Sequence, residues 1–141
     1  MQIVMNRDAL NRFLRERYVQ VADAIRVEAV TETGALVRLA VDASHLRPGG
    51  TVSGPAMFGL ADVAIYLAIL SRIGPVELAV TTNASIDFMR KPAAGKDLLA
   101  EVRLLKLGRQ LAVGDSLIRS EGVDQPVARC SMTYALPAQK P

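Results

Sequence analysis

The sequence predicts an α+β domain in which a mainly antiparallel sheet curves around one long central helix, with a short helix at the N-terminus. Three observations carry that prediction. The stretch "SGPAMFGLADVAIYLAIL" is apolar on nearly every face of a helix, and such a helix is stable only when it is wrapped. On both sides of it the apolar period is two, which is the period of strands. Short turns join consecutive strands and make them antiparallel, and a curved sheet folded around one helix is the simplest way to bury it. At 141 residues the chain has the size of one ordinary domain, so residues 1–141 are expected to form one, with no disulfide or metal needed to hold it.

The elements follow in order. Residues 1–20 hold the N-terminal helix: in "RDALNRFLRERY", Leu10, Phe13, Leu14 and Tyr18 recur at helical spacing, and Asn6 or Asp8 is available as N-cap. In "AIRVEAVTETGALVRLAVD" the alternation puts Ile25, Val27 and Ala29 on one face, and "TETG" turns the chain into a second run with Val37, Leu39 and Val41. The loop "ASHLRPGG" leads to the central helix, expected over 53–73. Ser53 serves as its N-cap, Pro55 sits in the first turn where its missing N–H does little harm, and Gly74-Pro75 follows its end. Residues 78–137 are strands. In the first, Val80, Thr82, Ala84, Ile86 and Phe88 oppose Thr81, Asn83, Ser85 and Asp87, and "DLLAEVRLLKL", "RQLAVGDSLIRS" and "PVARCSMTYAL" give three more.

Composition excludes several classes. The 17 basic and 14 acidic residues are interspersed, there is no Trp, and only three Tyr and three Phe are present, which argues against a nucleic-acid stacking surface. Cys130 is alone and no Cys/His cluster suggests a metal, in keeping with a reducing cytoplasm. The N-terminus lacks the uninterrupted apolar core of a signal peptide, and Pro55, Gly59 and Asp62 interrupt the one run long enough to span a membrane. A cytoplasmic protein is the expectation.

Asp62 is the single residue charged at neutral pH between Gly54 and Leu70. Inside a wrapped helix a carboxylate has to be paired or to look into a cleft, because burying it bare is costly. It is therefore either a structural hydrogen-bond acceptor or a reactive carboxylate in a pocket. Gly59, one turn away, either leaves space beside the carboxylate, as a substrate channel needs, or serves close helix packing. At the helix start the Gly54 N–H points outward unpaired, where it can stabilise an oxyanion; Pro55 cannot donate. Gly54 and Asp62 stand about 12 Å apart along one helix. One carbonyl cannot touch both, so a site using both requires Gly54 of one subunit to face Asp62 of another across a two-fold interface.

The segment "HLRPGGTVSGPAMFGLADVAIYLAIL" resembles the motif "HxNxxGxxHGGxxFxLxDxA" of hotdog-fold acyl-CoA thioesterases of the phenylacetate-pathway type. "AVTTNASIDFMRKPAAGKDLLAEVRLLKLGRQLAVGDSLI" continues the similarity, which covers roughly residues 24 to 137. By position, the resemblance implies Asp62 as the catalytic carboxylate, Gly54 as the oxyanion glycine, and Thr81 as the hydroxyl that orients carboxylate or water. Three motif positions differ: Ser53 stands where the family has His, Pro55 where it has a second Gly, and Arg47 where it has Asn. The implied activity is hydrolysis of an acyl-CoA or related thioester, with Asp62 as general base or nucleophile. The alternative is a hotdog protein that binds such a thioester without turning it over.

No cofactor is expected, since coenzyme A belongs to the substrate. Its phosphates call for cations, and Arg47, Arg90, Lys91 and Arg109 are the candidates, with Lys106 nearby. Ser53, Gly59, Tyr66 and Asn83 complete the expected substrate-binding set; Asn83 is included because strict alternation puts it on the face of Thr81. His45, the only histidine, lies in a loop away from any nucleophile, and Cys130 falls on the core side of its strand. A homodimer is the expected assembly, and the resemblance extends this to a tetramer of paired dimers.

Overall fold

The computed structural model describes residues 2–138. Its central helix, α3 (Gly54–Ile73), begins where the Ser53 side chain accepts the Ala56 N–H at 3.2 Å. It stops at Gly74, whose φ of 94° is a conformation that glycine adopts without strain. From Leu60 to Arg72 every residue except Asp62 is buried. Among the described residues α3 is the one helix long and apolar enough to cross a bilayer, and most of it is enclosed by the protein's own sheet.

Six strands enclose it: β1 (Ile25–Val30), β2 (Gly34–Leu39), β3 (Val80–Phe88), β4 (Leu98–Leu107), β5 (Leu111–Ser120) and β6 (Ala128–Ala135). They form one antiparallel sheet in the order β1-β2-β4-β5-β6-β3. Alternate residues, among them Val37 and Leu39 on β2, Leu98, Ala100 and Val102 on β4, and Cys130 and Met132 on β6, point at α3 and are buried against it. Helix and sheet approach so closely at Gly114 that a Cβ there would lie 3.1 Å from Ile65 Cγ2.

The N-terminal helix differs from expectation by a break. α1 (Arg7–Arg17) is capped by Asn6, which accepts the Ala9 N–H at 2.9 Å, and the chain then turns at Tyr18 into the short α2 (Val19–Ala22). The backbone at Tyr18 (φ −132°, ψ 54°) is not helical, and the ring it carries is directed elsewhere, as described below.

Two strands also depart from strict alternation. In β1 the register shifts between Val27 and Ala29, so Ile25 and Val27 are buried while Ala29 is only half-buried. In β3 it shifts between Thr81 and Asn83, and Thr82 is the extra residue. Thr81 is paired with Tyr134, whose side chain faces the helix, whereas Asn83 is paired with Thr133 on the opposite face. Thr81 therefore shares the inner face with Ala84, Ile86 and Phe88, and Asn83, Ser85 and Asp87 face outward. The expectation that Thr81 and Asn83 share a face does not hold.

β3 is an edge strand of nine residues, all exposed or half-exposed. Beside it α3 carries its one open stripe, formed by Pro55, Phe58, Gly59 and Asp62. At the far end of α3 the Arg72 guanidinium is buried. It donates to the carbonyls of Thr31 (2.5 Å), Glu32 (2.9 Å) and Gly34 (2.9 Å) and to Ser71 Oγ (2.7 Å), anchoring the β1–β2 turn to the helix.

Candidate active site

The Asp62 side chain leaves α3 on the open stripe and meets β3 and β6. Thr81 Oγ1 donates to its Oδ1 at 2.5 Å. The Tyr134 hydroxyl lies 2.6 Å from the same Oδ1 and 2.6 Å from the Asp62 main-chain carbonyl. Tyr134 is buried, and burial followed by the charge of Asp62 holds its phenol far above the ordinary range, so it stays a protonated donor. The β3 bulge is what permits this geometry, because without it Thr81 would face away from the helix.

Around the carboxylate lies a hollow of about 400 Å³. All three tyrosines of the chain, Tyr18, Tyr66 and Tyr134, line it together with Phe13. Tyr66 stacks on Tyr134 (centroids 6.0 Å apart, planes at 23°) and receives Tyr18 edge-on at 5.9 Å. The Tyr66 hydroxyl donates to the Glu77 carbonyl at 3.2 Å, and burial, with the Glu77 charge next, pushes its phenol up to about 12. Arg17 and Glu77, paired at 2.5 Å, also border the hollow.

A second hollow, of about 380 Å³, lies at the start of α3. Arg47, Gly54, Phe88, Arg90 and Lys91 border it; among the described residues its lining has three cationic side chains and no carboxylate, which suits an anionic ligand. The Phe88 ring lies beside Gly54, where an added Cβ would approach its Cζ to 3.3 Å. Ser53 Oγ is occupied as the helix cap, and Arg90 also donates to the Pro126 carbonyl at 2.8 Å.

The expected residues thus divide. Asp62, Thr81 and Tyr66 come together in the first hollow, and Gly54, Arg47, Arg90 and Lys91 in the second. Gly59 lies between them on the open stripe, with nothing within 4 Å of an added Cβ. Asn83 is on the outer face of the sheet, and Arg109 sits with Lys106 at the β4–β5 turn, in neither hollow. His45 Nδ1 accepts the Asp42 N–H at 2.9 Å, a local cap. The buried Cys130 thiol is pushed up to about 11 by burial first and by Asp62 second.

Sequence reasoning missed Tyr134, Tyr18 and Phe13 as neighbours of the carboxylate. A signal for Tyr134 existed: a tyrosine on the inward face of a strand needs a partner for its hydroxyl. Nothing local directs Tyr18 or Phe13 there, because the path of α1 and α2 is a tertiary matter.

An antiparallel sheet wrapped on one helix that carries a single carboxylate at its open stripe defines a hotdog-fold protein. Residues 49–135 match the family described as the thioesterase superfamily, and the chain belongs to it. It is similar to a candidate thioesterase from Silicibacter sp. TM1040, with 53% identity and a TM-score of 0.91 over 97% of this chain and 95% of that one. The PaaI protein from the phenylacetic acid degradation operon of E. coli shares 25% identity and a TM-score of 0.78, over 92% of this chain and 91% of that one. A Pseudomonas aeruginosa protein named as a candidate esterase is 30% identical over 102 residues, 72% of this chain and 75% of that one. The chain is thus of the PaaI-like hotdog type, and its family is one of thioester hydrolases.

Proposed function

We propose that this protein hydrolyses an acyl-CoA to the free acid and coenzyme A in a site shared between two subunits, with Asp62 of one subunit and the Gly54 N–H of the partner subunit acting on the same carbonyl. One observation carries this. Asp62 meets Thr81 at the start of β3 and Gly54 meets Phe88 at its end, and β3 is a bare edge. Antiparallel pairing of that edge with its own copy about a two-fold axis brings opposite ends together, so each Asp62 hollow adjoins the partner's cationic hollow.

In such a site the thioester carbonyl oxygen accepts the Gly54 N–H at the positive end of α3, which stabilises the negative charge that develops there. Acting as base, the Asp62 carboxylate takes a proton from water, the water oxygen bonds to the carbonyl carbon, and the C–S bond breaks to release the thiolate. Acting as nucleophile, a carboxylate oxygen bonds to that carbon, the thiolate leaves, and water then hydrolyses the anhydride. A thiolate leaves readily in either course. Arg47, Arg90 and Lys91 meet the phosphates of coenzyme A, while the acyl group enters the aromatic hollow beside Asp62.

The test follows thiol release from a panel of short, medium, long-chain and aryl acyl-CoAs, with Asp62→Asn beside the wild type and light scattering on both. Turnover of some member, lost by at least about 100-fold in Asp62→Asn, in a protein that is a dimer or larger, is the expected result. A stable, active monomer would sink the shared site. A folded dimer that binds members of the panel and releases no thiol would favour binding without turnover.

A further inference from the structure

Asp62 Oδ1 receives both Thr81 Oγ1 and the Tyr134 hydroxyl, at 2.5 and 2.6 Å. Oδ2 accepts no hydrogen bond among the described residues and is not among the polar atoms sealed from solvent. The two carboxylate oxygens are therefore unequal before any substrate arrives. We propose that Tyr134 is a positioning residue for the reaction: with Thr81 it fixes Oδ1, and so assigns Oδ2 as the oxygen that takes the proton from water or attacks the carbonyl. This rests on the hydrolase reading above.

The geometry gives Tyr134 a second property. A phenol carries one proton and donates to one acceptor at a time, and its two acceptors here both belong to Asp62. While the carboxylate is ionised, the charge-assisted bond to Oδ1 is the stronger one. When Oδ2 takes up a proton or forms a bond to the acyl carbon, the charge on Oδ1 falls and the main-chain carbonyl becomes the competing acceptor. The hydroxyl proton follows that change by rotation alone, with the ring held against Tyr66 and the side chain buried. Tyr134 thus fixes Oδ1 while the carboxylate is ionised and keeps a hydrogen-bond acceptor on Asp62 when the charge on Oδ1 falls, without giving up its own proton.

Tyr134→Phe removes the hydroxyl and keeps the ring. Its kcat and KM on the best acyl-CoA of the panel are measured beside wild type, Asp62→Asn and the double variant. The expected result is a kcat lower by about 10- to 100-fold, with KM within about threefold, and no further loss when Tyr134→Phe is added to Asp62→Asn. Unchanged kcat in Tyr134→Phe, with Asp62→Asn inactive, overturns the positioning role and leaves the hydrolase reading standing. An equal loss in the Asp62→Asn background also overturns it, because the hydroxyl would then act on something else. Full turnover by Asp62→Asn removes the hydrolase reading and this role with it. If Tyr134→Phe does not fold, 3-fluorotyrosine at position 134 retains ring and hydroxyl and alters only donor strength; a changed kcat at constant KM supports the role, and an identical kcat overturns it.

Discussion

Replacing Arg72 by alanine should cost about 3 kcal/mol of stability, and the structure says where that figure comes from. Arg72 is 7% exposed, and its guanidinium donates to three carbonyls of the β1–β2 turn and to Ser71 Oγ. Hydrogen bonds from a charged group are each worth about 1.5–3 kcal/mol, but the penalty for burying the cation offsets much of their sum. Deletion also leaves few orphans. The Gly34 carbonyl keeps the Thr31 N–H at 3.0 Å, Ser71 Oγ still donates to the Ala68 carbonyl at 2.5 Å, and the Thr31 and Glu32 carbonyls belong to a half-open turn that water can reach. What alanine loses is the packing of the long stem, the space left behind, and the tie between turn and helix, together about 3 kcal/mol. Arg72→Met refills the stem and should recover about half of the loss. Urea unfolding at one fixed protein concentration reads both, with a midpoint shift of about 1.5 M for alanine at a slope near 2 kcal/mol/M. An alanine variant within about 1 kcal/mol of wild type would refute the anchor, and equal losses for alanine and methionine would put the whole effect in the hydrogen bonds.

Two further outcomes are expected. Cys130, fully buried with its thiol pushed up to about 11, should resist an aromatic disulfide reagent at pH 8 in the native protein and react fully in urea; fast native labelling would contradict its place in the core. Stability should also fall in acid. The Arg38 hydrogen bond holds Glu28 below its usual range, and Asp97 is lowered too: burial opposes its ionisation, but the Val41 N–H and Arg38 outweigh burial. Both folded pKa values lie below the unfolded ones, so this stabilisation is complete above the unfolded carboxylate range near pH 4–4.5 and is lost as pH drops through the lower folded values. Urea midpoints between pH 7 and pH 3 should show that decline, and Glu28→Gln should flatten it.

How far the site could be read from the sequence depends on how local each feature is. Ser53, Pro55 and Gly74 mark the ends of α3 by chain chemistry alone, and Asp62 stands out because a carboxylate in a wrapped helix needs a reason. The family resemblance implies Thr81 beside Asp62, whereas strict alternation groups Thr81 with Asn83, from which the register shift separates it. No residue in "VTTNASIDF" announces the shift at Thr82, since a bulge without glycine has the composition of an ordinary strand. Tyr134 lies 72 positions from Asp62, and their contact depends on how β6 docks beside β3. Arg72 resembles any basic residue in the last turn of a helix, and only the fold reveals that the β1–β2 turn closes over it.

The irregularity at Thr82 has an evolutionary consequence. Counted along the chain, Thr81 and Asn83 are two apart, yet they face opposite ways, because Thr82 is absorbed outside the pairing ladder. A chain one residue shorter at this point could adopt a plain strand and still keep a hydroxyl toward the carboxylate and the next residue toward solvent. Insertion or deletion is ordinarily the most disruptive change a strand can suffer, since it exchanges every side chain beyond it. Loss of Thr82 alone is the exception, because the pairing of every later residue of β3 with β6, and so the face it points to, stays as it is.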